Sequence, residues 1–153
     1  MKQAKIPFTK EGYAKLGSNL EELQNRRIGA VERLQTAREM GDLSENGAYK
    51  AARFEMSDID RNIRRVTSLL KNGIVKNSIS GGTIGFGSKI VLEKGGVQIS
   101  YLLVSKFESE PSENKLSMES PLGMALVGKK VGEEVEVIAP VGKMTYLVKK
   151  VSG

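Results

Sequence analysis

The sequence predicts an α+β protein, an N-terminal antiparallel coiled-coil helical hairpin followed by a small antiparallel sheet domain with one short helix. Three observations predict it. All eight arginines lie between Arg26 and Arg65, while eleven of the seventeen glycines and three of the four prolines lie beyond residue 80, a composition shift between two domains. Up to Leu70 the apolar residues recur at spacings of three and four, the period of a helix seam. From Val97 onward they alternate with polar residues, the period of a half-buried strand.

Thr9 is the candidate N-cap of the first helix. Its seam runs through Tyr13, Leu16, Leu20, Leu23, Ala30, Leu34 and Ala37, interrupted by Arg27, with Ile28 and Val31 widening the stripe. After Gly41-Asp42-Leu43-Ser44-Glu45-Asn46-Gly47, the second seam occupies consecutive a/d positions at Tyr49, Ala52, Met56, Ile59, Ile63, Val66 and Leu70. Two such helices joined by a short polar turn form an antiparallel hairpin. At about 1.5 Å per residue, two helices of about thirty residues put the turn roughly 45 Å from the base. The first domain, 1–76, is therefore a rod with its tip at 41–47.

Asn77 to Gly82 reads as a linker, and the second domain as 77–153. Val97, Ile99, Tyr101 and Leu103 alternate along one strand, Val135 and Val137 along another, and Met144, Tyr146 and Val148 along a third. Gly95-Gly96 reads as a hairpin turn, and Pro140-Val141-Gly142 as another. Ser120-Pro121 before Leu122 to Val127 predicts an N-capped short helix with proline at its first position.

The chain has 153 residues, no Cys and no His, and an excess of 24 Lys+Arg over 18 Asp+Glu that leaves a net charge of +6. Thiolate and imidazole metal sites, a Cys nucleophile, a Ser-His-Asp triad and a disulfide framework are excluded. The positive charge suits an acidic partner such as nucleic acid or an acidic protein surface, and equally suits solubility. The longest strongly apolar runs are four residues, Tyr101 to Val104 and Met124 to Val127, so neither a signal peptide nor a membrane span is expected and the chain is assigned to the cytoplasm.

Two acids, Asp42 and Glu45, stand at the exposed tip. Asp42-Leu43-Ser44-Glu45 has the form of a capping box for the second helix, worth roughly 1 kcal/mol. The alternative is that the two carboxylates share a hard divalent cation such as Mg²⁺, whose near-octahedral shell a second partner would have to complete.

The tip run Ala37-Arg38-Glu39-Met40-Gly41-Asp42-Leu43-Ser44-Glu45-Asn46, followed by Tyr49 and Ala51-Ala52-Arg53, resembles that of the bacterial Gre transcript cleavage factors of GreA type. The likeness continues in Thr9-Lys10-Glu11-Gly12 with Lys15-Leu16, in Phe86-Gly87-Ser88, and in Ser120-Pro121-Leu122-Gly123 with Ala125 to Lys129, and it spans nearly the whole chain. The resemblance implies an FKBP-like second domain and a hairpin that enters the secondary channel of RNA polymerase. There the acids Asp42 and Glu45 would help hold Mg²⁺ of the polymerase active site, so that the polymerase cleaves the nascent RNA 3′ end of a backtracked complex. The chain would have no cofactor of its own and would act as a monomer, not as an enzyme by itself.

By the same resemblance Arg38 and Arg53 would contact RNA, although ion pairing with Glu39, Glu45 or Glu55 or plain solvation would also account for them. Tyr49 would touch RNA or pack beneath the tip. Gly41, Leu43, Ser44 and Asn46 would shape the turn. Glu119, Ser120 and Pro121 match the family's polymerase-docking segment, and a helix N-cap role is compatible with that. Two positions depart from the family pattern: Gly47-Ala48 replaces a small residue followed by an acid, and Arg27-Ile28 replaces an Arg-Pro.

Competing functions are a non-cleaving secondary-channel modulator, a nonspecific nucleic-acid binder with steep salt dependence, and a prolyl isomerase. The last would have to build its proline pocket from Phe86, Tyr101, Phe107 and Tyr146.

Overall fold

The computed structural model describes residues 5–41, 46–78 and 81–153. They form two compact units, one of Tyr13–Gly73 and one of Lys5–Gly12 together with Ile74–Gly153.

The first unit is the helical hairpin, built from α1 (Lys10–Arg38) and α2 (Gly47–Asn72). Thr9 caps α1 as expected, its Oγ1 accepting from the Gly12 N–H at 3.0 Å. The helices run antiparallel, because Tyr13 meets Leu70, Arg27 meets Asp60, Arg33 meets Glu55 and Ala37 meets Asn46. Each step up α1 is a step down α2.

The buried side chains of the seam are Leu16, Leu23, Ala30 and Ala37 on α1 and Ala52, Ile59, Val66 and Leu69 on α2. The spacing of seven on α1 is that of a coiled coil. Tyr13, Leu20, Leu34, Tyr49, Met56, Ile63 and Leu70 border the seam half-buried. Ile28 and Val31 do not widen it. They are 63% and 39% exposed, because at 100° per residue they fall outside the narrow a/d stripe that a single partner helix can cover.

The second unit holds a five-stranded sheet in the order β5-β4-β3-β7-β6. Its strands are β3 (Lys89–Lys94), β4 (Val97–Val104), β5 (Lys115–Ser117), β6 (Glu134–Ala139) and β7 (Gly142–Ser152). The β3–β4 turn is Gly95-Gly96, with φ of 58° and 82°, the pair of left-handed residues that a type I′ hairpin needs. The β6–β7 turn is Pro140-Val141 between the paired Ala139 and Gly142.

The sheet is mixed, not purely antiparallel, since β5 pairs parallel with β4. After β4 the chain runs through a 3₁₀ turn at Pro111–Glu113 and the left-handed Asn114, φ 55°, so it re-enters the sheet in the direction it left. One face of the sheet meets α3 (Pro121–Leu126), and Ile84, Ile90, Leu92, Leu103, Leu126, Val135 and Val148 close the core between them. A separate two-stranded sheet of β1 (Ile6–Phe8) and β2 (Gly73–Val75), absent from the sequence-based expectation, buries Phe8.

Candidate functional site

At the tip end, α1 finishes in a tightened turn, where the Met40 N–H donates to the Ala37 carbonyl, and Gly41 follows at φ 106°. That left-handed value is why glycine stands there. On the returning side Asn46 is the N-cap of α2. Its Oδ1 accepts from the Tyr49 N–H at 3.1 Å, and its Nδ2 donates to the Ala37 carbonyl at 2.8 Å. One side chain therefore satisfies a bare amide of the new helix and a terminal carbonyl of the old one, and holds the two ends together.

This corrects the capping-box alternative. A helix that begins at Gly47 with Asn46 as its cap does not have Asp42 at the N-cap position or Glu45 at the third helical position. Asp42, Leu43, Ser44 and Glu45 themselves lie outside the described residues.

Arg38 closes α1 and Arg53 sits in the second turn of α2, both exposed and both between the Arg33–Glu55 pair and the tip. Glu55 does not pair with Arg53. Arg33 takes it across the hairpin, with Nε donating to Oε2 at 3.0 Å and Nη2 to Oε1. That fork lowers the Glu55 pKa below the ordinary carboxylate range through its hydrogen bonds first and the Arg33 and Arg26 charges second, against a desolvation that raises it. Neither Arg38 nor Arg53 has an ion-pair partner among the described residues. Tyr49 is half-buried in the first turn of α2.

In the second unit Ser120 caps α3, its Oγ accepting from the Gly123 N–H at 3.1 Å and donating to the Ser117 carbonyl at 2.7 Å. Pro121 takes the first helical position, where its missing N–H costs nothing. Gly123 packs so closely that a Cβ would run into the Ser117 carbonyl. The Glu119 carboxylate is 66% exposed and lies 3.6 Å from Lys106 Nζ, which also stands 5.0 Å from the Phe107 ring centre. Lys106 was not legible as a neighbour of Glu119, since no periodicity links the loop after β4 to the start of α3.

Among the described residues no group of three or more carboxylates could hold a metal ion. No helix among them is long and apolar enough to cross a membrane. Of the four aromatics considered for a proline pocket, Phe86 is buried and Tyr101 and Tyr146 pack on the core, leaving Phe107 exposed.

The helical hairpin of residues 13–73 and the sheet unit with its capped short helix define a two-part protein. Residues 6–75 match the family model of the transcription elongation factor N-terminal domain, and residues 79–153 that of the GreA/GreB C-terminal domain. The chain is 36% identical over 151 residues to transcription elongation factor GreA of Thermosipho melanesiensis, covering 97% of each. To GreA of Syntrophus aciditrophicus it is 40% identical over 149 residues, covering 94% of this chain and 92% of the other. The crystal structure of GreA factor homolog 1 protein of Thermus thermophilus matches at 31% identity and a TM-score of 0.47, over 97% of this chain and 99% of that one. The class is that of bacterial transcription elongation factors. Within it, this chain belongs to the GreA/GreB family.

Proposed function

We propose that this chain is a transcript cleavage factor of GreA type. Its hairpin enters the secondary channel of bacterial RNA polymerase and carries Asp42 and Glu45 to the nascent RNA 3′ end of a backtracked complex, which the polymerase's own active site then cleaves. The observation that carries the reading is Asn46: with the second helix capped there, the two tip acids are not needed as caps. Membership of the GreA/GreB family supports the partner.

Magnesium in the polymerase active site, when shared, supplies a water of lowered pKa and neutralises charge on the in-line oxygens. Carboxylates are the donor type a hard cation takes, and two of them leave the rest of a near-octahedral shell to be completed by a partner. Asp42 and Glu45 are the residues that would hold it, while Arg38 and Arg53 pair with RNA phosphate or base edges. Glu119, Ser120 and Pro121 dock the second unit on the polymerase at the channel rim. The chain works as a monomer in the cytoplasm, and has no hydrolytic activity without polymerase.

The test is RNA cleavage in stalled, backtracked polymerase complexes with the wild type, Asp42→Asn or Glu45→Gln, each checked by thermal melting. Wild type is expected to shorten the transcript from its 3′ end, and the two folded variants to bind polymerase without doing so. Equal cleavage by both variants would sink the assignment of the acids. Binding without cleavage by the wild type would make the chain a channel modulator.

A further inference from the structure

Lys106 and Phe107 occupy the two corners of a tight turn just after β4, closed by the Glu108 N–H donating to the Ser105 carbonyl at 3.0 Å. Turn corners are dominated by Gly, Pro, Asn, Asp and Ser, each for a conformational reason that a phenyl ring does not supply. Nor does Phe107 join the core of the sheet unit, being 46% exposed. The turn itself is anchored, since the Glu108 carboxylate accepts from the Thr9 N–H at 2.8 Å and from the Thr9 hydroxyl. Ring and lysine are therefore presented on an ordered framework, and a partner that takes them has little more to immobilise.

Lys106 joins this turn to the start of α3. Its Nζ stands 5.0 Å from the Phe107 ring centre and 3.6 Å from Glu119 Oε2, which puts the carboxylate and the ring within about 9 Å of each other. At 3.6 Å the ammonium is too far for a good hydrogen bond, and with both side chains more than half exposed the pair is of the weak surface kind. Glu119 is held by a cation that another can replace. Beside it, Ser120 donates its hydroxyl proton to the Ser117 carbonyl and accepts from the Gly123 N–H, so that hydroxyl serves the cap. The groups left to address a partner are the Glu119 carboxylate, the Phe107 ring and the exposed Pro121 and Met124, three residues apart on α3.

An arginine suits this arrangement better than the resident lysine. Its planar fork pairs bidentately with a carboxylate, and its guanidinium stacks on aromatic faces. An aromatic ring beside an acid, with polar groups around it, is also how the anchors of protein interfaces are built. We propose that Phe107 is an anchor of the surface by which the second unit docks on bacterial RNA polymerase: an arginine of the polymerase displaces Lys106 from Glu119, and the Phe107 ring is buried against the apolar surface beside it. The proposal rests on the docking role given above to Glu119, Ser120 and Pro121. It adds a contact from a different element and names what the partner must present.

The test is binding of the full-length protein to immobilised bacterial core RNA polymerase by biolayer interferometry, with cleavage in backtracked complexes measured against factor concentration. Phe107→Ala is expected to weaken binding about tenfold and to raise the half-saturating concentration for cleavage by the same factor, leaving the rate at saturation unchanged. Phe107→Tyr keeps the ring and is expected to bind within about threefold of the wild type. Glu119→Gln is expected to lose about tenfold. Lys106→Ala removes the competing cation and is expected to bind at least as tightly as the wild type. Because the ring is half exposed, its removal opens no closed cavity, and thermal melting of each variant checks that the unit holds.

Wild-type affinity in Phe107→Ala, with binding weakened by Glu119→Gln, would overturn the proposal and leave the docking reading standing. A wild type that fails to bind polymerase would end both. A loss of about tenfold in Lys106→Ala would make the lysine itself the contact and overturn the exchange of cations. If Phe107→Ala leaves polymerase binding intact and instead changes the mass of the free protein by light scattering, the ring belongs to a contact between two copies, and the proposal falls.

Discussion

The hairpin and the sheet unit bury apolar side chains in different ways. In the sheet unit, side chains from several elements converge, and Leu92, Leu103, Leu126 and Val148 are completely shielded. The hairpin has a line where the other unit has a centre, and its fully buried members taper: Leu16, Leu23, Val66 and Leu69 occupy the half away from the tip, Ile59 the middle, and Ala30, Ala37 and Ala52 the half toward it. Apolar stabilisation therefore declines toward the tip. The Arg33–Glu55 fork and the Asn46 bridge to Ala37 stand where it is weakest. The tip end of the hairpin is held by polar, directional contacts where its apolar seam is thinnest.

Truncation should separate the two regions most sharply. Leu103→Ala is expected to destabilise the sheet unit by about 3–5 kcal/mol, because the completely shielded site cannot collapse around the void. Ile59→Ala on the seam should cost less, about 2–3 kcal/mol, since solvent borders each layer of a two-helix seam. Urea melts followed by far-ultraviolet circular dichroism measure both, and an equal loss would erase the distinction. Gly123→Ala should cost about 1–3 kcal/mol by forcing α3 off the Ser117 carbonyl. Amide exchange at Gly123 and Met124 should quicken in that variant while exchange in α2 stays as it was.

At the tip, Asn46→Ala is expected to cost about 1–2 kcal/mol, losing the cap and leaving the Ala37 carbonyl unpaired by a side chain. Asn46→Asp should keep the cap and lose the bridge, and so fall between the two. The smallest effect concerns pH. Glu55 has a lowered pKa in the folded hairpin, so its contribution is present above the unfolded carboxylate value of about 4.3 and disappears as pH falls through the folded value. The melting temperature of the wild type should fall more steeply below about pH 4 than that of Glu55→Gln, and the two should differ by a constant amount between pH 6 and 8. Parallel curves would show that the fork contributes nothing.

The elements read most easily were those whose signal is local. The heptads of both helices, Thr9 and Ser120 as caps, the Gly95-Gly96 turn and the strand alternation all appear where single-chain periodicity and turn chemistry place them. The N-cap of the second helix was placed at Asp42 because two overlapping cap patterns compete in one stretch, Asp42 with Glu45 and Asn46 with the Tyr49 N–H, and spacing alone does not choose. The parallel pairing of β5 and the β1–β2 sheet escaped because three-residue strands are too short to show a period.

The sequence by itself determined the two-part plan, the antiparallel rod and the tip run with its acids, because each depends on periodicity or on residues adjacent in the chain. Tertiary structure alone decided which acid each arginine of the hairpin meets, that Lys106 reaches Glu119, and that Glu108 accepts from the Thr9 N–H at 2.8 Å at the start of α1. It also decided that Phe107 stands half in water with its ring beside Lys106. Those outcomes depend on which partner lies across the fold, and no local pattern encodes a neighbour that is distant along the chain.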